Sequence, residues 1–275
     1  MPINSITDCA TLNNGVKMPW LGFGTFQVKD GDEVEQAVLW ALEAGYRSID
    51  TAETYRNEAG VGRAIRRSGI PRGEIFVTTK LSMDRMGSEE PLRAFEDSLR
   101  LLGLDYVDLY LVHRAVKGKY PQTWRAFEQI YREGRARAIG VSNFLIHHLE
   151  DILPGAEVIP AVNQIEYHPY LTERELLAWC AGHGIVCQAW SPLQRGAVFA
   201  DETIAAIAKK LGRTMAQVVL RWNLQNGVLT IPRSVRQERI AENAGIFDFV
   251  LSDEDMAAID ALNRDFRISS HPDNY

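Results

Sequence analysis

The 275-residue sequence predicts one closed α/β barrel, the (β/α)8 or TIM barrel, preceded by a short β-hairpin and carrying extra helices. Short apolar runs alternate with amphipathic segments of helical period along the chain, a pattern typical of parallel strands joined by right-handed crossovers. Eight such units in a chain of this length favour a closed barrel over an open sheet. No Pro/Gly/Ser-rich linker divides the chain, so we expect a single domain over residues 1–275.

The sequence of the segment before the barrel is typical of a β-hairpin. Residues Ala10–Pro19 contain the turn-forming sequence Asn13-Asn14-Gly15 between two short extended stretches. Asn-Gly pairs accept the positive φ angles that tight hairpin turns require.

Eight apolar runs then predict the barrel strands. Each is short and is followed by polar or turn-forming residues. The runs are Leu21–Gly24, Tyr46–Ile49, Ile75–Thr79, Val107–Val112, Ala136–Val141, Ala161–Ile165, Val186–Ala189 and Val228–Ile231.

Segments of helical period separate and follow these runs. Two of them, Asp201–Leu211 before the last strand and Asp253–Leu262 near the C-terminus, are additional to the repeating unit. The others are Glu33–Glu43, Glu58–Arg67, Glu89–Leu101, Pro121–Arg132, Leu145–Ile152, Glu173–Ala181, Thr214–Leu224 and Val235–Ala244.

Strands two to eight each end in a residue that is polar or aromatic. In barrels of this kind the active site lies at the C-terminal ends of the strands, so these residues are expected to face one mouth. Any one of them is explained equally well as the point where a strand leaves the core, but seven in succession favour a shared site. In strand order they are Asp50, Lys80, His113, Ser142-Asn143, Gln164, Trp190 and Arg233.

Charge and composition exclude several classes of function. A net charge of −6 argues against a general role in binding nucleic acid or anionic membranes. The stretch from Met1 to Gly15 has no apolar core of a signal peptide, and no apolar run is long enough to span a membrane. We therefore expect a cytoplasmic protein with a small-molecule partner.

The cysteines and histidines do not predict a disulfide or a metal site. Cys9, Cys180 and Cys187 form no C-x-x-C pair and are interpreted as reduced thiols, although the sequence does not exclude their oxidation. His147-His148 and His168 lack ligand spacing and a set of partner ligands, so no metal site is predicted.

Four of the residues near the predicted mouth can carry acid–base chemistry together: Asp50, Tyr55, Lys80 and His113. A tyrosine has an ordinary pKa of about 10, and a neighbouring ammonium lowers it and makes the phenol a usable acid. Asp50 is the candidate partner that would keep Lys80 charged, and His113 could hydrogen-bond a substrate carbonyl. Taken separately, each of the four also has a purely structural explanation. The carboxylate could cap a turn, the tyrosine ring could be packed in the core, the lysine could be a solvated strand end, and the histidine could be a core residue.

The motifs at these positions resemble those of the aldo-keto reductases. The resemblance is carried in order and at family spacing by Gly45–Glu58, Thr79-Lys80, Leu111–His113, Gly140–Phe144, Asn163-Gln164 and Ile231–Ser234. It extends over essentially the whole chain and is greatest to short bacterial members of the 2,5-diketo-D-gluconate reductase and glyoxal or methylglyoxal reductase type. It implies a barrel and hydride transfer from a nicotinamide to an aldehyde or ketone.

The resemblance also implies roles for the four residues. Tyr55 is the proton donor, Lys80 paired with Asp50 tunes it, and His113 orients the carbonyl.

Residues after strand eight indicate NADPH as the cofactor. The chain has no strand–G-x-G-x-x-G–helix arrangement, and Gly60-Val61-Gly62 lies inside a predicted helix. Arg233 to Arg239 instead holds three arginines where barrels commonly bind phosphate, which suits the 2′-phosphate of NADPH. A solvated basic helix face is the alternative.

By resemblance, a larger set of residues contacts the cofactor. Ser142, Asn143 and Gln164 are assigned to the nicotinamide amide and Trp190 to the face of its ring, where core packing is the alternative role. The implied set is Thr25, Phe26, Ser142, Asn143, Gln164, Trp190, Ser191, Leu193, Arg233, Ser234, Val235, Arg239, Glu242 and Asn243.

Three sites depart from the family pattern. Ser82-Met83 and Arg114-Ala115 replace aromatic wall residues, and Arg56 replaces a small residue after the tyrosine. We expect the substrate to bind in a wide and polar pocket. Its predicted contacts are Phe26, Ser82 and Arg114. Arg114 has two alternative placements: it could turn to solvent or pair with a carboxylate such as Asp84.

A second class of function fits the same resemblance: an NADPH-binding regulatory or sensing subunit with little turnover. The complete set of four acid–base residues favours an enzyme, and we expect the protein to be a monomer.

Overall fold

The N-terminal hairpin and a sheet of eight parallel strands organise the computed structural model, which describes residues 3–275. In the hairpin, β1 (Cys9–Thr11) pairs antiparallel with β2 (Lys17–Pro19), and Gly15 in the turn has a φ of 85°. The parallel strands are β3 (Phe23–Gly24), β4 (Ser48–Asp50), β5 (Phe76–Leu81), β6 (Val107–Val112), β7 (Ala136–Ser142), β8 (Val162–Glu166), β9 (Val186–Trp190) and β10 (Leu229–Thr230).

Backbone hydrogen bonds close this sheet into a barrel. Each strand from β3 to β10 pairs with its neighbour in chain order. At the seam, the Gly22 amide donates to the Thr230 carbonyl (2.9 Å), and the Thr230 amide donates to the Trp20 carbonyl (3.0 Å). The predicted fold class, including the hairpin, is therefore confirmed.

Within residues 3–275, ten α-helices surround or follow the strands, and each corresponds to a predicted segment. They are α1 (Asp32–Glu43), α2 (Glu58–Arg67), α3 (Glu90–Leu102), α4 (Tyr120–Arg132), α5 (Ile146–Ile152), α6 (Arg174–Gly182), α7 (Glu202–Leu211), α8 (Met215–Gln225), α9 (Gln237–Ala244) and α10 (Asp253–Asp260).

The start of α9 is the one boundary that bears on the site. The sequence predicts helix from Val235, but the structure begins it at Gln237. The Arg236 amide donates to the Ser234 hydroxyl oxygen (3.1 Å), which closes a turn before the helix. This turn leaves the segment after β10 free to line a cavity.

Gly60 and Gly62 serve helix packing. A Cβ on Gly62 would lie 1.9 Å from the Leu102 carbonyl oxygen, and one on Gly60 would lie 2.3 Å from Val34 Cγ1. Only glycine allows α2 to approach its neighbours this closely. Both glycines lie inside α2, as the sequence predicts, and not in a phosphate-binding loop.

The core has two parts. A large one fills the space between the sheet and the helices, and a smaller one lies inside the barrel. Hairpin residues Ala10, Leu12 and Met18 join the inner part against barrel side chains such as Leu109 and Leu111. The hairpin thus covers the N-terminal end of the barrel, which leaves the C-terminal end as the mouth. Among the helices formed by residues 3–275, none combines the length and apolar character needed to span a bilayer.

Candidate active site

A cavity of about 990 Å³ opens at the C-terminal ends of the strands. Its volume lies at the upper end of the range for small-molecule sites. The predicted residues found in its wall are Phe26, Asp50, Tyr55, His113, Arg114, Ser142, Asn143, Gln164, Trp190, Ser191, Leu193, Arg233, Ser234, Val235, Arg239, Glu242 and Asn243.

Three predicted residues are not in the wall. Lys80 is buried directly behind it. Thr25 is also buried, and its hydroxyl donates to the Asp50 carbonyl (2.9 Å). Ser82 turns away, because its hydroxyl donates to Asp84 and its amide to Glu53 Oε2. The structure therefore does not bring Thr25 or Ser82 to the cavity.

Asp50, Lys80 and Tyr55 form a hydrogen-bonded chain at the base of the cavity. Asp50 ends β4 and Lys80 lies near the end of β5, the next strand of the sheet. Lys80 Nζ donates to Asp50 Oδ1 (2.5 Å), to the Thr51 carbonyl (2.8 Å) and to the Tyr55 hydroxyl (3.3 Å). The third contact presents an ammonium group to the phenol that faces the cavity.

The phenol remains protonated at neutral pH. Desolvation raises the pKa of Tyr55 above its ordinary value, and the charge of Lys80 lowers it only in part. Lys80 lowers the pKa of Tyr55, as the sequence predicts, but the enclosure that brings the ammonium close also removes water from the phenol, and this desolvation raises the pKa by more. Burial is the largest single influence on Lys80 and disfavours its ammonium, but the charges and hydrogen bonds of Asp50 and Tyr55 together outweigh it, and the pKa of Lys80 lies above its usual range.

His113 lies beside Tyr55 directly after β6. The two rings are 5.8 Å apart between centroids in an edge-on arrangement. His113 Nδ1 contacts the Thr54 hydroxyl at 3.4 Å. Burial, together with the charges of Lys80 and Arg114, holds the pKa of His113 well below its ordinary value. Its imidazole is therefore neutral and can donate a hydrogen bond without carrying charge.

The polar ends of β7 and β8 form a network with Trp190. Asn143, in a left-handed conformation with φ of 61°, donates to the His113 carbonyl (3.0 Å) and accepts from Trp190 Nε1 (2.9 Å). Gln164 Nε2 donates to Asp50 Oδ2 (2.8 Å) and Gln188 Oε1 (2.7 Å). Gln164 Oε1 accepts no hydrogen bond from residues 3–275, so it is available to a ligand amide.

Three arginines line the other end of the cavity. Arg233, Arg236 and Arg239 are exposed around the turn that precedes α9. Arg233 Nε donates to the Phe26 carbonyl (3.0 Å). In the described part of the chain, none of the three forms an ion pair with a carboxylate. This end of the cavity is suited to bind a phosphate group.

Arg114 takes neither of the alternative placements considered from the sequence. It lies in the wall, its Nη2 donates to the Ser269 hydroxyl oxygen (3.2 Å), and its guanidinium carbon lies 4.6 Å from the centre of the Tyr275 ring. Asp84 is bound to Ser82 instead.

Several wall residues were missed by the sequence analysis. Arg195 and Phe199 come from a short helical segment, Gln194–Ala200, in which Arg195 has a φ of 53°. Such left-handed turns have no periodic sequence signal. Met83 was noted in the sequence as a departure but not as a lining residue, and Ser269 reaches the wall from the C-terminal segment.

The tertiary structure also supplies a partner for His147-His148 that the sequence did not reveal. Asp273 Oδ1 lies 2.9 Å from His147 Nε2 and 3.2 Å from His148 Nε2. The three residues therefore have the spacing of a metal site. However, His148 Nδ1 accepts from the Leu145 amide (3.1 Å), which places the proton of the neutral ring on Nε2, towards Asp273. Asp273 thus brings the C-terminal segment into close contact with both histidine rings.

The sequence is similar to known proteins over nearly its whole length. Residues 20–264 match the model of the Aldo/keto reductase family. The chain is 53% identical over 269 residues to a glyoxal reductase of Bacillus subtilis strain 168, covering 98% of each chain.

Solved structures give the same result. An aldo-keto reductase enzyme from a Medee basin deep-sea metagenome library is 45% identical, with a TM-score of 0.94 over 97% of this chain and 99% of that one. A mutant of Gox0644 in complex with NADPH is 43% identical, with a TM-score of 0.93 over 97% of this chain and 98% of that one. The chain therefore belongs to the aldo/keto reductase family.

Proposed function

We propose that this protein reduces aldehydes or ketones to alcohols with NADPH, and that Tyr55 donates the proton. The observation that carries this proposal is the Tyr55 hydroxyl at the cavity base, 3.3 Å from the ammonium of Lys80, which Asp50 holds at 2.5 Å. A buried and charged lysine beside a protonated phenol is suited to stabilise the phenolate that proton donation leaves behind.

The wall fits NADPH in the chemistry of its donors and acceptors. When bound, this cofactor supplies a hydride to the carbonyl carbon. Gln164 Oε1 offers a free acceptor for the carboxamide, and Trp190 offers an aromatic face beside it. Arg233 and Arg239, which form no ion pair with a carboxylate of residues 3–275, offer guanidinium groups for the phosphate that distinguishes NADPH from NADH. The NADPH complex of the similar Gox0644 structure supports this assignment.

Three side chains have separate roles at the carbonyl oxygen of the substrate. The neutral imidazole of His113 donates a hydrogen bond that orients the carbonyl. Tyr55 transfers its proton to the same oxygen as negative charge develops there. Lys80, kept protonated by Asp50, then stabilises the tyrosinate until it is reprotonated.

We also propose that the protein acts as a cytoplasmic monomer. All the acid–base groups come from one chain. Cys180 and Cys187 are buried free thiols, as expected in a reducing compartment.

The deciding experiment measures turnover and binding side by side. We expect loss of NADPH absorbance when purified protein is mixed with glyoxal or benzaldehyde, and tight NADPH binding by fluorescence titration. Binding of NADPH without turnover of any carbonyl in a broad panel would reject the enzyme and favour the regulatory subunit.

A further inference from the structure

We propose that Arg114 binds a carboxylate of the substrate, so that the enzyme prefers carbonyl compounds that also carry a carboxylate. This inference rests on the proposed carbonyl reduction and names the substrate class for the same cavity.

Arg114 lies next to the residues proposed to bind the carbonyl group. It directly follows His113, the residue proposed to orient the carbonyl oxygen, and both line the cavity with Tyr55. A ligand whose carbonyl contacts Tyr55 and His113 therefore lies in the same cavity as the side chain of Arg114.

Arg114 lacks a counterion of its own. It is half-buried, and among residues 3–275 no carboxylate lies within ion-pair distance of it. The nearby carboxylate of Glu166 is already engaged: it accepts from the Ile268 amide (2.6 Å), the Ser269 amide (3.3 Å) and the His168 ring (3.1 Å). A partly buried cation without an anion is costly, and a bound carboxylate would neutralise it.

The C-terminal segment holds the guanidinium in place before any ligand binds. Ser269 accepts one N–H group, and the Tyr275 ring packs against the guanidinium plane. The segment is itself fixed by Glu166 at one end and by the contact of the Lys117 amide with the Tyr275 carbonyl (3.1 Å) at the other. Such preorganisation lowers the entropic cost of binding.

The remaining wall suits an apolar body between the two polar ends of the ligand. Phe26 and Met83 line the cavity and are exposed by 43% and 36%. The planar guanidinium matches a carboxylate through two parallel hydrogen bonds, a geometry that an alcohol or an ester cannot reproduce. The cavity therefore fits short or aromatic oxo acids.

The test compares 4-carboxybenzaldehyde with its methyl ester, methyl 4-formylbenzoate, at saturating NADPH. For Arg114→Gln we expect the KM of the acid to rise about tenfold or more and that of the ester to change less than about twofold. Arg114→Lys keeps the charge but loses the pair of parallel N–H donors, and we expect an intermediate rise in the KM of the acid. Arg195→Gln removes the same charge from another part of the wall and is expected to leave the ratio of the two KM values unchanged.

Each outcome separates this inference from the proposed function. If the wild type reduces both aldehydes and Arg114→Gln affects them equally, the carboxylate role of Arg114 is rejected while the reductase stands. An equal change of the ratio in Arg195→Gln would show a general electrostatic effect and would also reject it. If the wild type reduces neither aldehyde and no other carbonyl, the proposed function itself fails.

Discussion

Lys80 Nζ lies 2.5 Å from Asp50 Oδ1, and the two side chains are exposed by only 0% and 3%. A buried pair of this kind leaves an uncompensated charge when one partner is removed, at a cost of about 3–5 kcal/mol. The pair links the stability of the barrel to the acid–base chemistry at its mouth.

Asp50→Asn is expected to lower the free energy of unfolding by about 3–5 kcal/mol, because Lys80 is left buried without its anion. The double variant Asp50→Asn/Lys80→Met is expected to lose less than the sum of the two single variants. Urea unfolding of all four proteins measures the coupling. Additive losses would show that the two charges do not depend on each other.

Tyr55→Phe is expected to abolish carbonyl reduction, since it removes only the proton that is transferred. The ring still fills its place 5.1 Å from the Phe26 ring, so the fold and the dissociation constant for NADPH should remain nearly unchanged. Steady-state turnover and fluorescence titration test the two statements. Substantial residual turnover at neutral pH would assign the acid to another group.

Arg233→Ala and Arg239→Ala are each expected to weaken NADPH binding by about 10- to 100-fold, as a lost charge-assisted contact to phosphate implies. NADH lacks the 2′-phosphate and serves as the internal control, with a change of less than about twofold expected. Titration of each protein with both cofactors gives the ratio. Equal weakening of the two would show that the cluster does not bind the 2′-phosphate.

His113 is expected to titrate below the ordinary histidine pKa of 6.5, because burial and two nearby cations disfavour its charged form. Since the pKa of the folded state is the lower one, the stabilising contribution of His113 is complete above about pH 6.5 and is lost as the pH falls through the folded pKa. NMR of the ring protons measures the titration. In urea unfolding, His113→Gln should flatten the loss of stability at acid pH, and an unchanged slope would contradict this account.

Arg56→Gly is expected to be neutral or to stabilise by up to about 1 kcal/mol. Arg56 is exposed and has a φ of 55°, a left-handed conformation that strains residues other than glycine. The greater freedom of glycine in the unfolded chain offsets part of the gain. A thermal melt compared with that of Arg56→Ala, which keeps the strain, tests the explanation. A marked destabilisation by glycine would indicate that the arginine side chain makes a stabilising contact.

The sequence determined the order and type of the elements. Short apolar runs alternating with amphipathic segments are local patterns, and the hairpin turn at Asn13–Gly15 follows from local backbone preferences. Because parallel strands in a barrel share one C-terminal edge, the polar residues that end them could be placed at one mouth before any distance was known. Asp50, His113, Gln164 and Trp190 all lie in the cavity wall there.

Only the tertiary structure decided what these side chains do to one another. The pKa of Tyr55 depends on how far burial outweighs the charge of Lys80, which no spacing along the chain encodes. Ser82 turned away from the cavity because Asp84 and Glu53 compete for its polar groups, whereas Arg114 met Ser269, which is remote in sequence. Local periodicity fixes where a strand ends, but desolvation and long-range hydrogen bonds depend on which distant segments the fold brings within a few ångströms.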